Sequence, residues 1–320
     1  MDFRTRVHIP KSDISVCHFT QMMLFGSCFS ENIGDKLLDY RFRANVNPFG
    51  VLYNPLSISQ AIKLLLLGKQ PVFGNDLIFH NEMYHSLMHH GDFSKTDKNH
   101  CLENISEQFS KSSDFIAKTD IFLITFGTAY VYRWKETGEV VGNCHKIPPD
   151  KFVRFRLTID EIVEQWSDII SLIKSKNDKA KFLFTVSPIR HWKDGAHENQ
   201  VSKSILHLAI DSLQSRFADV HYFPAYEILL DELRDYRFFA EDMMHPSSVA
   251  ISYIWERFSE TYFSDKTIEI NQEWSHIYRA IHHKPINPET EAHKNFLEQT
   301  KLKMEEFYKR YPLISKQVDE

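Results

Sequence analysis

Four short apolar runs constrain this chain more than any other feature: Met22–Phe25 in QMMLFG, Ile121–Phe126 in DIFLITFG, Phe182–Val186 in KFLFTVSP and Val220–Phe223 in DVHYFP. Each ends beside Gly, Ser or Pro, and none alternates cleanly between polar and apolar residues. Such segments present no side that water can wet, so they suit a parallel sheet covered on both faces. Between them lie stripes at helical spacing. In TIDEIVEQWSDIISLIKS the residues Ile159, Ile162, Val163, Trp166, Ile169, Ile170 and Ile173 share one face, and Thr158 with Glu161 has the spacing of a capping box. Further helices are expected over Ser57–Leu67, Ser202–Arg216 (with Ile205, Leu208, Ala209 and Leu213 inward) and Ser248–Tyr262. Strand and helix alternating in this way predicts an α/β sandwich with right-handed crossovers and a mostly parallel sheet.

The 320 residues can bury a large core. Two stretches depart from the alternation. From about Pro71 to Lys118 the periodicity weakens, which predicts a long insertion between strands, a usual home for substrate-binding loops. Residues 1–264 are read as the main domain. Residues 265–320 are read as a charged helical extension, with helices over Trp274–Ile281 and Glu289–Tyr308, the second capped by Asn287 and Pro288. Phe296, Met304 and Phe307 are among its few apolar positions.

The formal charge of −5 comes from both signs scattered without a basic block, which argues against nucleic acid or an acidic membrane surface as partner. No apolar run is long enough to span a bilayer. The polar opening MDFRTRVHIPKSDIS does not resemble a secretory signal, so a cytoplasmic location is expected. Cys17, Cys28, Cys101 and Cys144 form no close pair and read as reduced thiols.

Three segments carry candidate chemistry. In MMLFGSCFSENIGDKL a strand ends at Gly26 and a helix is expected to begin near Glu31, leaving Ser27 and Cys28 on the turn. A nucleophile there would sit beside free backbone N–H groups, where a helix start lowers a thiol pKa and an oxyanion can be held. The bland alternative is a tight turn with Cys28 as a buried filler. In DMMHPS, Asp242 and His245 stand three apart before a helix that Ser247 or Ser248 can cap; the carboxylate can then fix the imidazole tautomer. Taken alone, that pattern also fits a surface loop. In TDIFLITFGTAYVY, Gly127 and Thr128 follow a strand at the sheet edge where ligands bind in open α/β folds.

Taken together, these segments resemble the SGNH (GDSL) hydrolase superfamily, with FGSCFS at its Gly-Asp-Ser block, FGTA at its Gly-Thr-Asn-Asp block and DMMHP at its Asp-x-x-His block. More narrowly, GSCF, NPFGVLYNP, SPIRH and YFPAYEILLDELRDYRF resemble the GSCFA family, over roughly residues 20 to 265. The resemblance implies a three-layer α/β/α sandwich of SGNH or flavodoxin-like type. Asp242 would be the orienter, His245 the general base and Gly50 a backbone oxyanion donor. The superfamily's oxyanion asparagine falls at Ala129, so Thr128, Asn47, Asn54 or backbone alone would have to substitute. One frame makes Cys28 the nucleophile, and a shift of one residue makes it Ser27.

Arg190 and His191 in SPIRHWKDG would reach the same edge, where a guanidinium can bind a carboxylate or phosphate, or they form an ordinary polar loop. His85, His89 and His90 in MYHSLMHHGD are read without a metal, with Tyr84 and His85 lining a pocket. The expected function is hydrolysis of an acyl or acetyl ester, including one on a carbohydrate, with no cofactor. Acyl transfer to a sugar hydroxyl on the same site, or non-catalytic binding on such a scaffold, are the alternatives. Oligomeric state is not legible.

Overall fold

A computed structural model describes residues 4–10, 12–70 and 76–315. β1 (Gln21–Gly26), α1 (Cys28–Asp39), β2 (Arg43–Val46) and α2 (Pro55–Leu67) lead to the hairpin β3 (Ile78–His80) and β4 (Met83–His85), then α3 (Lys98–Ile116) and β5 (Ile121–Phe126). β6 (Tyr130–Trp134), β7 (Val140–Val141) and β8 (Phe152–Arg156) precede α4 (Ile159–Lys176), β9 (Lys181–Val186), α5 (Gly195–Arg216) and β10 (Val220–Tyr222). The C-terminal part comprises α6 (Ala225–Glu227), α7 (Ser248–Tyr262), α8 (Asp265–Ile281), α9 (Glu291–Arg310) and α10 (Pro312–Ser315).

All four apolar runs are strands of one parallel sheet, ordered β10-β9-β5-β1-β2. Successive residues of a strand point to opposite faces. Met23, Phe25, Phe122, Ile124, Phe182 and Phe184 therefore join the core under α2, α3, α4 and α5. Met22, Leu24, Ile121, Leu123 and Leu183 join the one under α1 and α7. The fold is a three-layer α/β/α sandwich. Counted within the sheet, its strand order is 2-1-3-4-5, so the connections part between β1 and β5, and ligands in such folds bind outside the strand ends at that point.

Sequence expectations and structure differ where polar residues hide an element. The half-buried RANV of β2 carries too little apolar signal to be read as a strand. The stretch expected to be a loop insertion holds the β3–β4 hairpin and the 19-residue α3, while residues 71–75 lie outside the described residues. The buried stripe of α3 is Cys101, Ile105, Phe109, Ser112 and Ile116, and its thiol and hydroxyl dilute the pattern. α5 begins at Gly195 rather than Ser202; Leu206 and Ile210 are buried where Leu208 was expected, and Leu208 is exposed. α1 begins at Cys28 rather than Glu31. α8 begins at Asp265 rather than Trp274, and Thr290 caps α9 in place of Asn287. The Thr158–Glu161 capping box is present. The C-terminal helices pack Trp274, Ile277 and Phe307 together and tie to the end of α1, where the Asp39 carbonyl accepts from the Trp274 indole and its carboxylate from the Tyr278 hydroxyl, both at 2.7 Å.

Gly26 closes β1 against its register partner Thr125. At its φ of 150° a Cβ would stand 2.4 Å from the Thr125 carbonyl oxygen. Gly26→Ala is expected to cost about 3 kcal/mol through overpacking and backbone strain, read as a lower denaturant midpoint at unchanged slope.

Candidate active site

The turn after β1 gives its two candidate nucleophiles different jobs. Ser27 is the N-cap of α1: its hydroxyl accepts from the Phe29 N–H at 3.3 Å and donates to Ser187 Oγ at 2.9 Å, and the residue is 1% exposed. Cys28 opens the helix, half-buried, with Sγ 3.8 Å from the Tyr53 hydroxyl. First-turn N–H groups have no partner within the helix, and that of Cys28 interacts with its own thiol. The expectation that the helix start lowers this thiol's pKa is not met. Burial pushes it up and outweighs the Tyr53 hydrogen bond, and the Glu31 carboxylate adds to the rise. Burial thus favours the protonated thiol form of Cys28.

An imidazole is held by a carboxylate at the loop before α7. Asp242 Oδ1 accepts the N–H groups of Met244 and His245 at 2.9 Å each, and Oδ2 pairs with His245 Nδ1 at 2.5 Å. Those bonds, led by the His245 backbone, hold the Asp242 carboxyl well below the usual range. The wrapping of one carboxylate by three donors requires a tight turn, and Met243 takes the left-handed conformation at φ 59°. With Nδ1 engaged, Nε2 is the imidazole nitrogen left for proton transfer.

Arg190 lies on the cavity lining and ties to this loop. Its guanidinium donates to the Met243 carbonyl and lies 5.0 to 5.7 Å from the ring centroids of Trp192, Tyr236 and Phe239. His191 is half-buried and edge-on to Tyr53, and its Nε2 has no partner among the described residues. Burial brings its pKa down to about 4, so its imidazole is neutral.

Most of the expected oxyanion donors are already committed. The Gly50 N–H donates to the Asn47 carbonyl at 2.6 Å. Those of Gly127 and Thr128 both donate to the Tyr53 carbonyl, at 2.8 and 2.9 Å. The Thr128 hydroxyl pairs with Ser202 Oγ and accepts from Tyr130 N, while Asn54 caps α2 with its amide on Ser57. Asn47 differs. Its Oδ1 accepts from Gly26 N, whereas its buried Nδ2 lies near the Glu31 carboxylate without a full hydrogen bond. Short-range spacing marks where such groups sit, but not whether a neighbouring carbonyl has already claimed them.

Tyr84 and His85 belong to the β3–β4 hairpin and do not line the cavity described below. His85 bonds Ser94 and the His80 carbonyl, His89 bonds Ser86, and His90 bonds Asp92. Among the described residues no group of three His, Cys, Asp or Glu side chains is placed to hold a metal ion. None of the described helices is long and apolar enough to cross a membrane, and the four cysteines are unpaired.

Sequence reasoning missed Tyr53, Ser187 and the first half of α5. Lys203, 2% exposed, donates from Nζ to the carbonyls of Gly127 and Ser187, both at 2.7 Å. Ser202 Oγ accepts the Ala129 N–H, and Asn199 Oδ1 that of His191. These three polar side chains of α5 therefore brace the loops after β5 and β9. The one available signal was their spacing in ENQVSK, a buried polar stripe at one helical pitch. Burial brings the Lys203 pKa down to about 7.

These loops enclose a cavity of about 880 Å³ whose lining includes Cys28, Ser27, Asn54, Thr128, His191 and His245. Its far wall comes from the antiparallel sheet β7-β6-β8, which the apolar runs gave no sign of. Fold and site thus define a doubly wound α/β protein in which a cysteine and a carboxylate-oriented imidazole border one cleft at the switch point. The chain belongs to the GSCFA family: that family's model matches residues 21–258, and a model described as GSCFA domain protein, C-terminal domain, matches residues 274–317. No curated protein matches the sequence significantly.

Proposed function

We propose that this protein hydrolyses acyl esters through Cys28, His245 and Asp242, as a member of the SGNH-like hydrolases. The observation that carries the reading is the shared cavity. Its lining includes both a helix-opening thiol and an Asp-held imidazole, from loops more than two hundred residues apart. Ser27 is the weaker candidate, because its hydroxyl is spent on capping α1 and on Ser187.

Cys28 Sγ attacks the ester carbonyl carbon while His245 Nε2 takes the thiol proton, and Asp242 stabilises the imidazolium that results. The carbonyl oxygen becomes an oxyanion within reach of the Cys28 N–H at the start of α1. Collapse expels the alcohol, which leaves with the proton from His245, and a thioester remains. Water, deprotonated by His245, then releases the acid and restores the thiol. A sugar hydroxyl in place of water gives acyl transfer, which the size of the cavity accommodates.

The committed N–H groups of Gly50, Gly127 and Thr128 favour a second reading, a binding protein on the same scaffold. Mass spectrometry after treatment with an activated acyl probe separates the two. The expected result is one acyl adduct on Cys28, lost in Cys28→Ala, retained in Ser27→Ala and strongly slowed in His245→Ala. Absence of any adduct would leave the binding reading, and an adduct on Ser27 would move the nucleophile by one residue.

A further inference from the structure

The cleft is charged oppositely to the molecule that contains it. The chain carries a formal charge of −5, yet the ionised side chains lining the cavity are Lys146, Arg154, Arg190 and Lys193 against a single acid, Asp194. Two of these cations are occupied. Arg154 is bonded to Asp194 and packed 3.9 Å from the Tyr130 ring centroid, and Arg190 holds the Met243 carbonyl. Among the described residues, Lys146 and Lys193 have neither an acidic partner nor a side-chain hydrogen bond.

Both lysines are presented by well-tied backbone. His145 and Lys146 are successive non-glycine residues in the left-handed conformation, at φ 46° and 57°. Strain of that kind persists where its surroundings enforce it, and it concentrates at functional sites. Here the enforcement is visible. His145 donates from Nε2 to the Ser86 carbonyl at 2.8 Å, stacks on His85 at 4.5 Å between ring centroids, and takes the Asn143 side-chain oxygen on its N–H. Lys193 lies in the 3₁₀ turn before α5, close enough to the half-buried Cys144 to oppose the rise that burial gives that thiol. Tyr130, Tyr132, Phe152 and Trp192 supply flat apolar surface in the same cavity, suited to the face of a ring.

We propose that the substrate of this site is an anionic ester whose ring-bearing part carries a phosphate or carboxylate, and that Lys146 and Lys193 bind that charge. The two cations without a side-chain hydrogen bond are point charges on flexible stems, whereas the Arg154 guanidinium is paired with Asp194 and that of Arg190 is turned to the Met243 carbonyl. Both lysines are exposed, so their charge attracts an anion from solvent to the cavity they line.

The proposal rests on the ester-hydrolase reading, so its test separates binding from chemistry. Three acetyl esters serve as probes: phenyl acetate, 4-acetoxybenzoate and 4-acetoxyphenyl phosphate. Their affinities for Cys28→Ala are measured by calorimetry, and their kcat/KM on the wild type by product release. The expected result is at least ten-fold tighter binding of one or both anionic esters than of phenyl acetate, with the same order in kcat/KM. The anion that wins identifies the group. In a Lys146→Gln, Lys193→Gln protein the anionic preference should fall below about two-fold. For the wild type the preference should shrink as salt rises from 0.05 to about 0.5 M, a measurement that does not depend on the double variant folding. Equal affinity for all three esters, or a preference that survives both the double substitution and high salt, overturns the proposal. Preferential anion binding without turnover of any ester would instead sink the hydrolase reading and leave the anion site standing.

Discussion

Cys28→Ala is expected to reduce ester turnover by at least about a thousand-fold in kcat/KM, as loss of an attacking group does in enzymes of this type. His245→Ala should cost about as much, and the double variant no more than either alone, because thiol and imidazole act as one unit. Ser27→Ala should behave differently. It removes the cap of α1 and the tie to Ser187, which lowers stability by about 1 kcal/mol, while substantial turnover remains. Since burial holds the Cys28 thiol above its ordinary value, its alkylation by iodoacetamide at neutral pH should be slower than that of an exposed peptide cysteine and should climb with pH. A Cys28→Ala protein that keeps most of its turnover, paired with an inactive Ser27→Ala protein, would refute the assignment.

Lys203→Met is expected to give the largest loss of stability outside the apolar core. The Gly127 and Ser187 carbonyls each lose their ammonium donor in a site closed to water. Unsatisfied buried acceptors cost about 1–3 kcal/mol apiece, so about 2–4 kcal/mol is expected in total. A second effect is diagnostic. The folded-state pKa of Lys203 is about 7, against about 10.4 for an unfolded lysine. Between those values the unfolded chain holds the extra proton, so stability rises with pH across that window; below about pH 7 both states are protonated and the contribution is flat. Denaturant midpoints at pH 6, 8 and 9.5 should show the Lys203-dependent rise in the wild type and lack it in Lys203→Met. Parallel pH profiles in the two proteins would mean that this lysine does not titrate as its burial requires.

The sheet was legible because β1, β5 and β9 are largely apolar on both sides and β10 is short and bounded by Asp and Pro, properties that each segment carries by itself. The α4 helix was legible for the same local reason, its stripe and capping box lying within sixteen residues of one another. β2, α3 and β6–β8 were not, since their stability comes from partners distant in sequence rather than from their own pattern. Residues 245 and 28 could be named as chemistry from their motifs. That they border one cavity follows from the 2-1-3-4-5 strand order, which carries the end of β1 and the loop before α7 to the same edge.

Local periodicity and turn residues thus dictated which segments become strands and helices, because those preferences act over a few residues. Packing decided which polar groups stay available. The N–H groups of Gly50, Gly127 and Thr128 and the Thr128 hydroxyl are taken by the carbonyls of Asn47 and Tyr53 and by Ser202, whereas among the described residues Asn47 Nδ2, Arg190 Nε and the amines of Lys146 and Lys193 are left over. Hydrogen-bond competition is settled by distance and angle between groups far apart along the chain, and those exist only once the layers have closed.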